Sequence, residues 1–426
     1  MQRKIHPLLD GFFARRVRGN PNQILRPTRG IAGVFARKCA GYFAASLMIA
    51  GVFMTSGCGG GGDSPVAQNP PNPPVTPPVT YTPDSEFVVD SSGTVIVAFL
   101  GTEANVNIPP TIHGITVREI GDYAFNANSH LVSVTIPDGF TKIGGSAFGG
   151  CTHLSTILIP DSITTISYSA FMNCLQLQSI RLPANLASIG VYAFQNCRSL
   201  QTIALPASLT QIDDPAFALC PSLASFAVDP ASRSYSAVQG VLFNLTGSHL
   251  IAYPEAKTDH AYTIPATVTT VHDFAFARNS SLTSITIPEG VQTLGANCFM
   301  SCSGLARVSL PSTVKELRES TFTDCTSLAS VALPEGLTTI GYSCFQSCPS
   351  LTNATIPSSV TTIDNFAFAY SGLGDLTMVS ASPPSLGVTV FAGIHDFLVH
   401  VPDAAAVARY RSAGNWASYA RRITTP

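Results

Sequence analysis

Apolar and polar positions recur along this chain with a fixed period, at every twenty-third position. In each unit a phenylalanine is followed three positions later by a small residue, mostly cysteine, and three positions after that by leucine. The phenylalanines form two series, namely Phe125, Phe148, Phe171, Phe194 and Phe217, and then Phe276, Phe299, Phe322, Phe345, Phe368 and Phe391. A fixed period of this length is typical of repeat proteins, in which each unit buries its apolar side against its neighbours.

Each leucine opens a short run with the pattern of a β-strand. In the run LTSITIP, from Leu282 to Pro288, Ile285 and Ile287 alternate with small polar residues. Alternation with a period of two predicts a strand with one buried face. The proline ends the strand because it cannot donate a hydrogen bond to a neighbouring strand. The stretch that leads to the next phenylalanine predicts a turn or a single helical turn.

The consensus A-F-x-x-C-x-x-L-x-x-I-x-[IL]-P resembles the BspA-type leucine-rich repeat of bacterial surface proteins. The resemblance covers about residues 86–426. It implies a repeat solenoid of 23-residue units, with a parallel strand ladder on one face and turns or short helical segments on the other. In such a stack, we expect each phenylalanine to pack on the phenylalanine of the next coil and to form part of the core.

The repeat region, residues 86–400, is interrupted once. Phe276 follows Phe217 at more than twice the regular distance along the chain. We predict an insertion at about residues 229–264, with a β-hairpin where two apolar runs flank Leu245-Thr246-Gly247. The insertion is either part of the scaffold or a loop that sets specificity.

The C-terminal segment, residues 401–426, departs from the repeat and predicts a helical cap. Asp403 suits a helix N-cap, and residues 404–412 favour a helix. We expect Trp416, the only tryptophan, to cover the last coil, because terminal repeats need a cap.

The N-terminal segment, residues 1–57, has the pattern of an export signal of the lipoprotein type. Arg37 and Lys38 precede the apolar run AGYFAASLMIAGVFM, which is shorter than the run of about 18 or more residues expected of a membrane span. The TSGC sequence around Cys58 resembles a bacterial lipobox and implies lipidation of Cys58. Gly59 then implies sorting to the outer membrane. The alternative is an ordinary signal peptide with an unmodified cysteine.

A Gly/Pro-rich linker follows, so that residues 58–85 hold the lipidated cysteine and a spacer. Glycines make its start flexible, whereas the prolines favour an extended polyproline II conformation. We expect this segment to hold the repeats away from the membrane.

Charge excludes one class of partner. Charged residues make up 11% of the chain, against roughly 25% in an average soluble domain. Without residues 1–57 the chain has 14 basic and 24 acidic residues. An acidic balance argues against nucleic-acid binding, which needs basic patches.

The repeated cysteines are predicted to be reduced and buried. Stacked coils hold equivalent residues about 4.8 Å apart, whereas a disulfide needs Cβ atoms about 3.5–4.5 Å apart. The pairs Cys298/Cys302 and Cys344/Cys348 resemble zinc ligands in spacing, but they lie two coils apart, too far for one ion. His130 and His153 occupy equivalent positions in neighbouring coils and are interpreted as exposed polar residues. We therefore predict no metal site.

No catalytic motif is present. The histidines are scattered, and neither G-x-S-x-G nor H-E-x-x-H occurs. Asp213-Asp214 is an adjacent pair of carboxylates, for which a turn is the simpler interpretation.

The exposed side of the predicted strands is the candidate binding surface. It is formed by the residues one, two and four positions after each leucine, which are small and almost uncharged. Arg181 and Arg307 are the exceptions and the candidate ligand-face residues, because arginine is a common interface anchor. The alternative is that both arginines only promote solubility.

Together these patterns favour a non-enzymatic, lipid-anchored protein of the outer membrane, exposed at the cell surface. Its repeat face would bind a protein partner, and the family resemblance implies adhesion to a host or matrix protein. One alternative is an envelope scaffold without an external ligand. Another is an enzyme with a site in residues 229–264. No cofactor is expected.

Overall fold

The computed structural model describes residues 79–426, which form a solenoid of about 14 coils. The strands before the insertion are β1 (Phe87–Val89), β2 (Val95–Phe99), β3 (Asn105–Asn107), β4 (Thr111–Ile112), β5 (Ile115–Thr116), β6 (Glu119–Ile120), β7 (Ser133–Thr135), β8 (Lys142–Ile143), β9 (Thr156–Leu158), β10 (Thr165–Ile166), β11 (Ser188–Ile189), β12 (Thr202–Leu205), β13 (Gln211–Ile212) and β14 (Ser225–Val228).

The insertion contributes the strands β15 (Tyr235–Val238), β16 (Val241–Asn244) and β17 (His249–Ala252). The strands after it are β18 (Ala261–Thr263), β19 (Thr270–Val271), β20 (Ser284–Thr286), β21 (Thr293–Leu294), β22 (Arg307–Ser309), β23 (Glu316–Leu317), β24 (Ser330–Ala332), β25 (Thr339–Ile340), β26 (Asn353–Ile356), β27 (Thr362–Ile363), β28 (Asp375–Met378), β29 (Ser385–Leu386), β30 (Leu398–His400) and β31 (Ile423–Thr424). One α-helix, α1, spans Ala404–Ser412, and two 3-10 helices span Asp84–Glu86 and Gly414–Arg422.

Two ladders of parallel strands run along the solenoid, where the sequence predicts one. The first is the predicted ladder, and its strands pair in the orders β3-β7-β9, β12-β14, β18-β20-β22-β24 and β26-β28-β30-β31. The second consists mainly of two-residue strands, in the orders β2-β6-β8-β10-β11-β13, β17-β19-β21 and β23-β25-β27-β29. Partners are usually one repeat period apart in the sequence, as in Ile285 and Val308. The repeat period is therefore the length of one coil.

The phenylalanines stack through the interior, as the sequence predicts. The ring centroids of Phe148 and Phe171 are 5.5 Å apart, and those of Phe171 and Phe194 are 5.4 Å apart. All three side chains are fully buried. The column also begins earlier than the sequence pattern, since Phe99 stacks on Phe125 at 5.0 Å.

Within each coil, the chain changes direction around the phenylalanine in tight turns that do not form a helix. In the coil of Phe194, the residues two positions before and after it, Tyr192 and Asn196, have φ angles of 60° and 58°. Asparagine tolerates this left-handed conformation better than tyrosine does. The Phe194 N–H donates to the carbonyl oxygen of Ala216 in the next coil at 2.8 Å. The turns thus add another column of hydrogen bonds between coils.

The insertion continues the solenoid rather than leaving it. Strands β16 and β17 form an antiparallel hairpin, and β15 adds a third antiparallel strand. Strand β17 then pairs in parallel with β19. Tyr253 occupies the phenylalanine position of this coil and stacks on Phe276 at 4.9 Å. The extra residues therefore lie between Phe217 and Tyr253.

The core of the solenoid divides into two clusters of buried residues at the insertion. Leu242 and Ile251 belong to the cluster of the preceding coils, whereas Val241 and Leu250 belong to the cluster of the following coils. Neighbouring residues of one strand thus face opposite halves. The insertion joins the two halves through alternating side chains.

The chain ends in the helical cap that the sequence predicts. The side chain of Asp403 accepts a hydrogen bond of 2.6 Å from the Ala406 N–H and caps α1. Trp416 is buried, and its indole N–H donates to the carbonyl oxygen of Pro384 at 2.8 Å. Its ring contacts Tyr410 edge to face at 5.1 Å. The cap covers the apolar end of the last coil.

Candidate functional site

The strand face is the surface formed by the exposed side of the first ladder. The residues one, two and four positions after each leucine are all exposed or partly exposed there, as the sequence predicts. The residues between them, such as Ile203 and Ile285, are buried. The face therefore presents mainly serine, threonine and alanine, with little charge.

Arg181 and Arg307, the two candidates of the sequence, both lie on the strand face with exposed side chains. A guanidinium nitrogen of Arg181 lies 2.9 Å from the Asp161 carboxylate, and both side chains are largely exposed. The Arg181 guanidinium lowers the pKa of Asp161. Exposed pairs of this kind contribute little stability. Arg307 lies on β22 opposite Ser330 of β24. Several coils separate the two arginines, and the structure does not bring them into one site.

The strand ladder is interrupted by a groove between β24 and β26, which belong to separate sheets. The groove has a volume of about 270 Å³, and its lining residues are Ser330, Val331, Ala332, Leu333, Glu335, Asn353, Ala354, Thr355, Pro357 and Val379. The sequence signal for it is Ala354, which stands where other coils have a larger apolar residue, namely isoleucine, valine or phenylalanine. The strand pattern alone did not reveal the groove.

A second cavity lies where the coil of Phe217 meets the coil of Tyr253. It has a volume of about 30 Å³, enough for about one water molecule. Glu255 lines it, and the side chain of this residue is only 10% exposed. One carboxylate oxygen lies 3.3 Å from Nε of Arg278, and the other is buried without a hydrogen-bond partner. Because burial disfavours the charged form, the pKa of Glu255 rises to about 7 despite the nearby Arg278 and Arg198.

Three coils also meet at a chain of titratable side chains, Asp214, His272 and His249. A carboxylate oxygen of Asp214 contacts Nδ1 of His272. Nε2 of His272 lies 3.0 Å from Nδ1 of His249, so that one ring donates a hydrogen bond to the other. Desolvation, and then the neighbouring His272, lower the pKa of His249. The sequence did not connect these residues, because the insertion separates Asp214 from the two histidines.

This chain of side chains can share a proton, but its contacts do not make a nucleophile. Among residues 79–426, the only hydrogen-bond partner of the His249 ring is His272. The adjacent carboxylates of Asp213-Asp214, where the sequence favours a turn, face different partners. Asp213 accepts a hydrogen bond from Gln211 at 2.8 Å, whereas Asp214 faces His272.

The repeated cysteines line the core next to the phenylalanine column. The nine cysteines between residues 79 and 426 are free and buried. Burial raises the pKa of Cys151, Cys220, Cys302 and Cys348 to about 12. Protonated thiols of this kind are poor nucleophiles and poor metal ligands.

The remaining histidine candidates lie apart from this column. His130 and His153 are exposed. Within the described part of the chain, no group of three or more histidine, cysteine, aspartate or glutamate side chains could hold a metal ion.

The repeats of this chain match one known protein family. Residues 114–236 and 257–374 match the family described as "BspA type Leucine rich repeat region", in six copies. The chain belongs to the BspA-type leucine-rich repeat family. The resemblance drawn from the consensus is thereby confirmed for the repeats. The N-terminal signal and the lipidation site at Cys58 lie outside the described residues.

Solved structures of bacterial leucine-rich repeat proteins are similar to the chain. A leucine rich cell surface protein from Faecalibacterium prausnitzii shares 29% identity, with a TM-score of 0.55 over 71% of this chain and 95% of that one. A leucine-rich repeat protein from Eubacterium ventriosum shares 25% identity, with a TM-score of 0.46 over 65% of this chain and 92% of that one. The pneumococcal vaccine antigen PcpA shares 19% identity, with a TM-score of 0.49 over 81% of this chain and 80% of that one.

No curated protein matches the chain. In addition, none of the helices described between residues 79 and 426 is both long enough and apolar enough to cross a membrane.

Proposed function

We propose that this BspA-type protein is a lipid-anchored, non-enzymatic protein of the bacterial outer membrane that binds a protein partner through its strand face. The observation that carries the proposal is the family match over the repeats, since BspA-type proteins are typically found at the bacterial cell surface. The similar protein from Faecalibacterium prausnitzii is also described as a cell surface protein.

The geometry of the strand face supports protein binding. Extended solenoid faces suit other macromolecules, because they offer many small contacts in regular rows rather than one deep pocket. Small side chains let a partner backbone approach closely. Arg181 and Arg307 add the charged hydrogen-bond donors that often anchor such interfaces.

The insertion supports a role as scaffold for residues 229–264. Strand β17 extends the second ladder, and Tyr253 extends the aromatic column. These contacts hold the two halves of the solenoid together. The insertion is therefore proposed as a structural joint rather than as an enzyme site.

Lipid anchoring is proposed at Cys58, followed by the linker of residues 58–85. Several acyl chains would hold the protein firmly, because each buried methylene contributes about 0.8 kcal/mol. The test is metabolic labelling with palmitate in cells that express the full chain, compared with Cys58→Ser. Labelling of the wild type alone supports the anchor, and equal labelling of both contradicts it.

Surface exposure and binding require a second test. Intact cells are treated with protease, and the purified chain is applied to immobilised extracellular-matrix proteins. Cleavage on intact cells and saturable binding that Arg181→Ala or Arg307→Ala weakens would support adhesion. A chain protected from protease would instead favour the envelope scaffold without an external ligand.

A further inference from the structure

The strand face is open between β24 and β26 in a way that its neighbouring steps are not. Strand β24 pairs with β22, and β26 pairs with β28. Within the described residues, β24 and β26 do not pair with each other. The two strands still lie side by side, with some Cα atoms within 8 Å of each other, whereas an added strand would need about twice the usual spacing of about 4.8 Å.

The floor of the groove is apolar and partly exposed. Val331 and Leu333 are both partly exposed, whereas their equivalents one coil earlier, Val308 and Leu310, are 3% and 6% exposed. Exposed apolar surface bounded by polar residues commonly marks an interaction site. The rim here is polar, since Ser330, Asn353, Thr355 and Glu335 surround the floor.

One small residue accounts for the depth of the floor. Ala354 stands three positions after its leucine, where other coils carry larger residues such as Ile157, Ile203, Ile285 and Val308. The missing side-chain atoms leave space above the core. At about 270 Å³ the groove is smaller than the ~300–1,000 Å³ of small-molecule sites. This size suits a single bulky side chain of a partner.

Charge indicates the chemistry of that partner. One basic residue of the strand face, Arg307, lies beside the groove as the β22 partner of Ser330. Glu335 lines the groove, and Asp375 lies beside it as the β28 partner of Asn353. Asp375 also pairs with His400, at 2.9 Å. The two carboxylates outnumber the one guanidinium around the groove, and this balance favours a cationic partner over an acidic one.

We propose that the groove between β24 and β26 binds an extended segment of a partner protein, in which a bulky apolar side chain is flanked by lysine or arginine. The apolar side chain fills the space above Ala354 between Val331 and Leu333. The basic residues lie against Glu335 and Asp375. This inference rests on the proposed function and assigns the protein-binding role to one place on the strand face.

The test uses the purified full chain and the peptide SGTKFKTSG, labelled with fluorescein at its N-terminus, in anisotropy titrations at low and physiological salt. We expect saturable binding that weakens as salt rises. A peptide with alanine in place of phenylalanine should lose at least tenfold in affinity. A peptide with glutamate in place of both lysines should also lose at least tenfold. Absence of saturable binding by the parent peptide at millimolar concentrations would overturn the proposal.

Variants of the chain locate the binding. Ala354→Ile restores the residue of other coils, fills the groove and should reduce affinity at least tenfold. Asn353→Arg places a cation on the rim and should do the same. Arg307 occupies the equivalent position of β22, so the fold accepts arginine there. The second variant keeps the test valid if the first does not fold.

A matched pair of substitutions tests the charge. Glu335→Gln should weaken peptide binding about threefold. Glu289→Gln changes the equivalent residue two coils earlier and should leave it unchanged. Equal affinity of the wild type, Ala354→Ile and Asn353→Arg would refute the groove.

The failure of this inference can be distinguished from the failure of the proposed function. A chain that is exposed on cells and binds a matrix protein equally well after Asn353→Arg would refute the groove alone. A chain that is protected on intact cells but binds the peptide through the groove would refute the surface role alone.

Discussion

The thiol of Cys197 donates a hydrogen bond of 3.2 Å to the carbonyl oxygen of Phe171 in the preceding coil. Six other cysteines make the same contact, each with the phenylalanine of the coil before it. Asn279 takes this position in one coil and donates to three carbonyl oxygens, the shortest bond being 2.9 Å to Lys257. In these eight coils the position therefore holds a small hydrogen-bond donor, and not a metal ligand or half of a disulfide.

We predict that the nine described cysteines are protected from alkylation in the native protein. Their thiols are buried, and burial raises their pKa, so the reactive thiolate is scarce. Mass spectrometry after iodoacetamide treatment at mildly alkaline pH should show no modification of these residues in the native chain. All nine should react after unfolding without reductant. Residues that stay unmodified after unfolding would indicate disulfides instead.

Phe194→Ala is expected to destabilise the solenoid by about 3–5 kcal/mol, the range for large truncations in a core. The ring is fully buried and stacks on Phe171 and Phe217 at 5.4 and 5.6 Å. Urea unfolding followed by circular dichroism measures the change. Leu158→Ala is the control, because Leu158 is 59% exposed on the strand face. A similar loss in both variants would mean that the column does not form the core.

Glu255→Gln should make the stability less dependent on pH. In the folded chain the pKa of Glu255 is about 7, against an ordinary value of 4.5. The folded state binds more protons between these values, so its stability falls as the pH rises from about 4.5 to 7. The loss is about 3 kcal/mol, at about 1.36 kcal/mol per pKa unit.

Urea titrations of the wild type and Glu255→Gln at several pH values, from well below the ordinary pKa of glutamate to mildly alkaline pH, measure this effect. The variant should be the more stable protein at the alkaline end. The difference between the two proteins should disappear at the acidic end, where Glu255 is protonated in both states. Glu289→Gln is the control for an exposed acid. A constant difference at every pH would show that Glu255 does not titrate in this window.

Asp403→Ala should destabilise the C-terminal cap by about 1 kcal/mol, within the usual range for the loss of an N-cap. The side chain of Asp403 accepts the hydrogen bond from Ala406 that starts α1. Asp403→Asn keeps an acceptor and should be nearly neutral. Amide hydrogen exchange of α1 and the last coil reports the change locally. Equal exchange in the alanine and asparagine variants would contradict the role of the cap.

The regular parts of the fold could be predicted because each coil repeats the same local sequence pattern. Ile285 and Ile287 fix the buried face of a strand, and the proline after them fixes its end. The helix after Asp403 was also predictable, since a capping residue and an alanine-rich stretch are both local signals. These features need no information from distant residues.

The irregular parts depend on contacts between coils, which a pattern within one coil does not specify. Tyr253 continues the aromatic column, but its distance from Phe217 along the chain does not fit the period. Asp214, His249 and His272 meet only because the insertion adds residues while the coils on both sides of it remain stacked. To predict the groove, one would have to compare Ala354 with the larger residues at the same position of other coils. Taken alone, Ala354 looks like one more apolar residue.

The two-part core has a mechanical consequence if the chain is anchored at one end and bound near the other as we propose. Under tension, each half can pull apart separately, because most apolar contacts lie within a half. Extension would then come in two steps, each releasing long stretches of chain at about 3.3–3.6 Å per residue. The half that unfolds first would lengthen the chain under tension, while the other half stays folded.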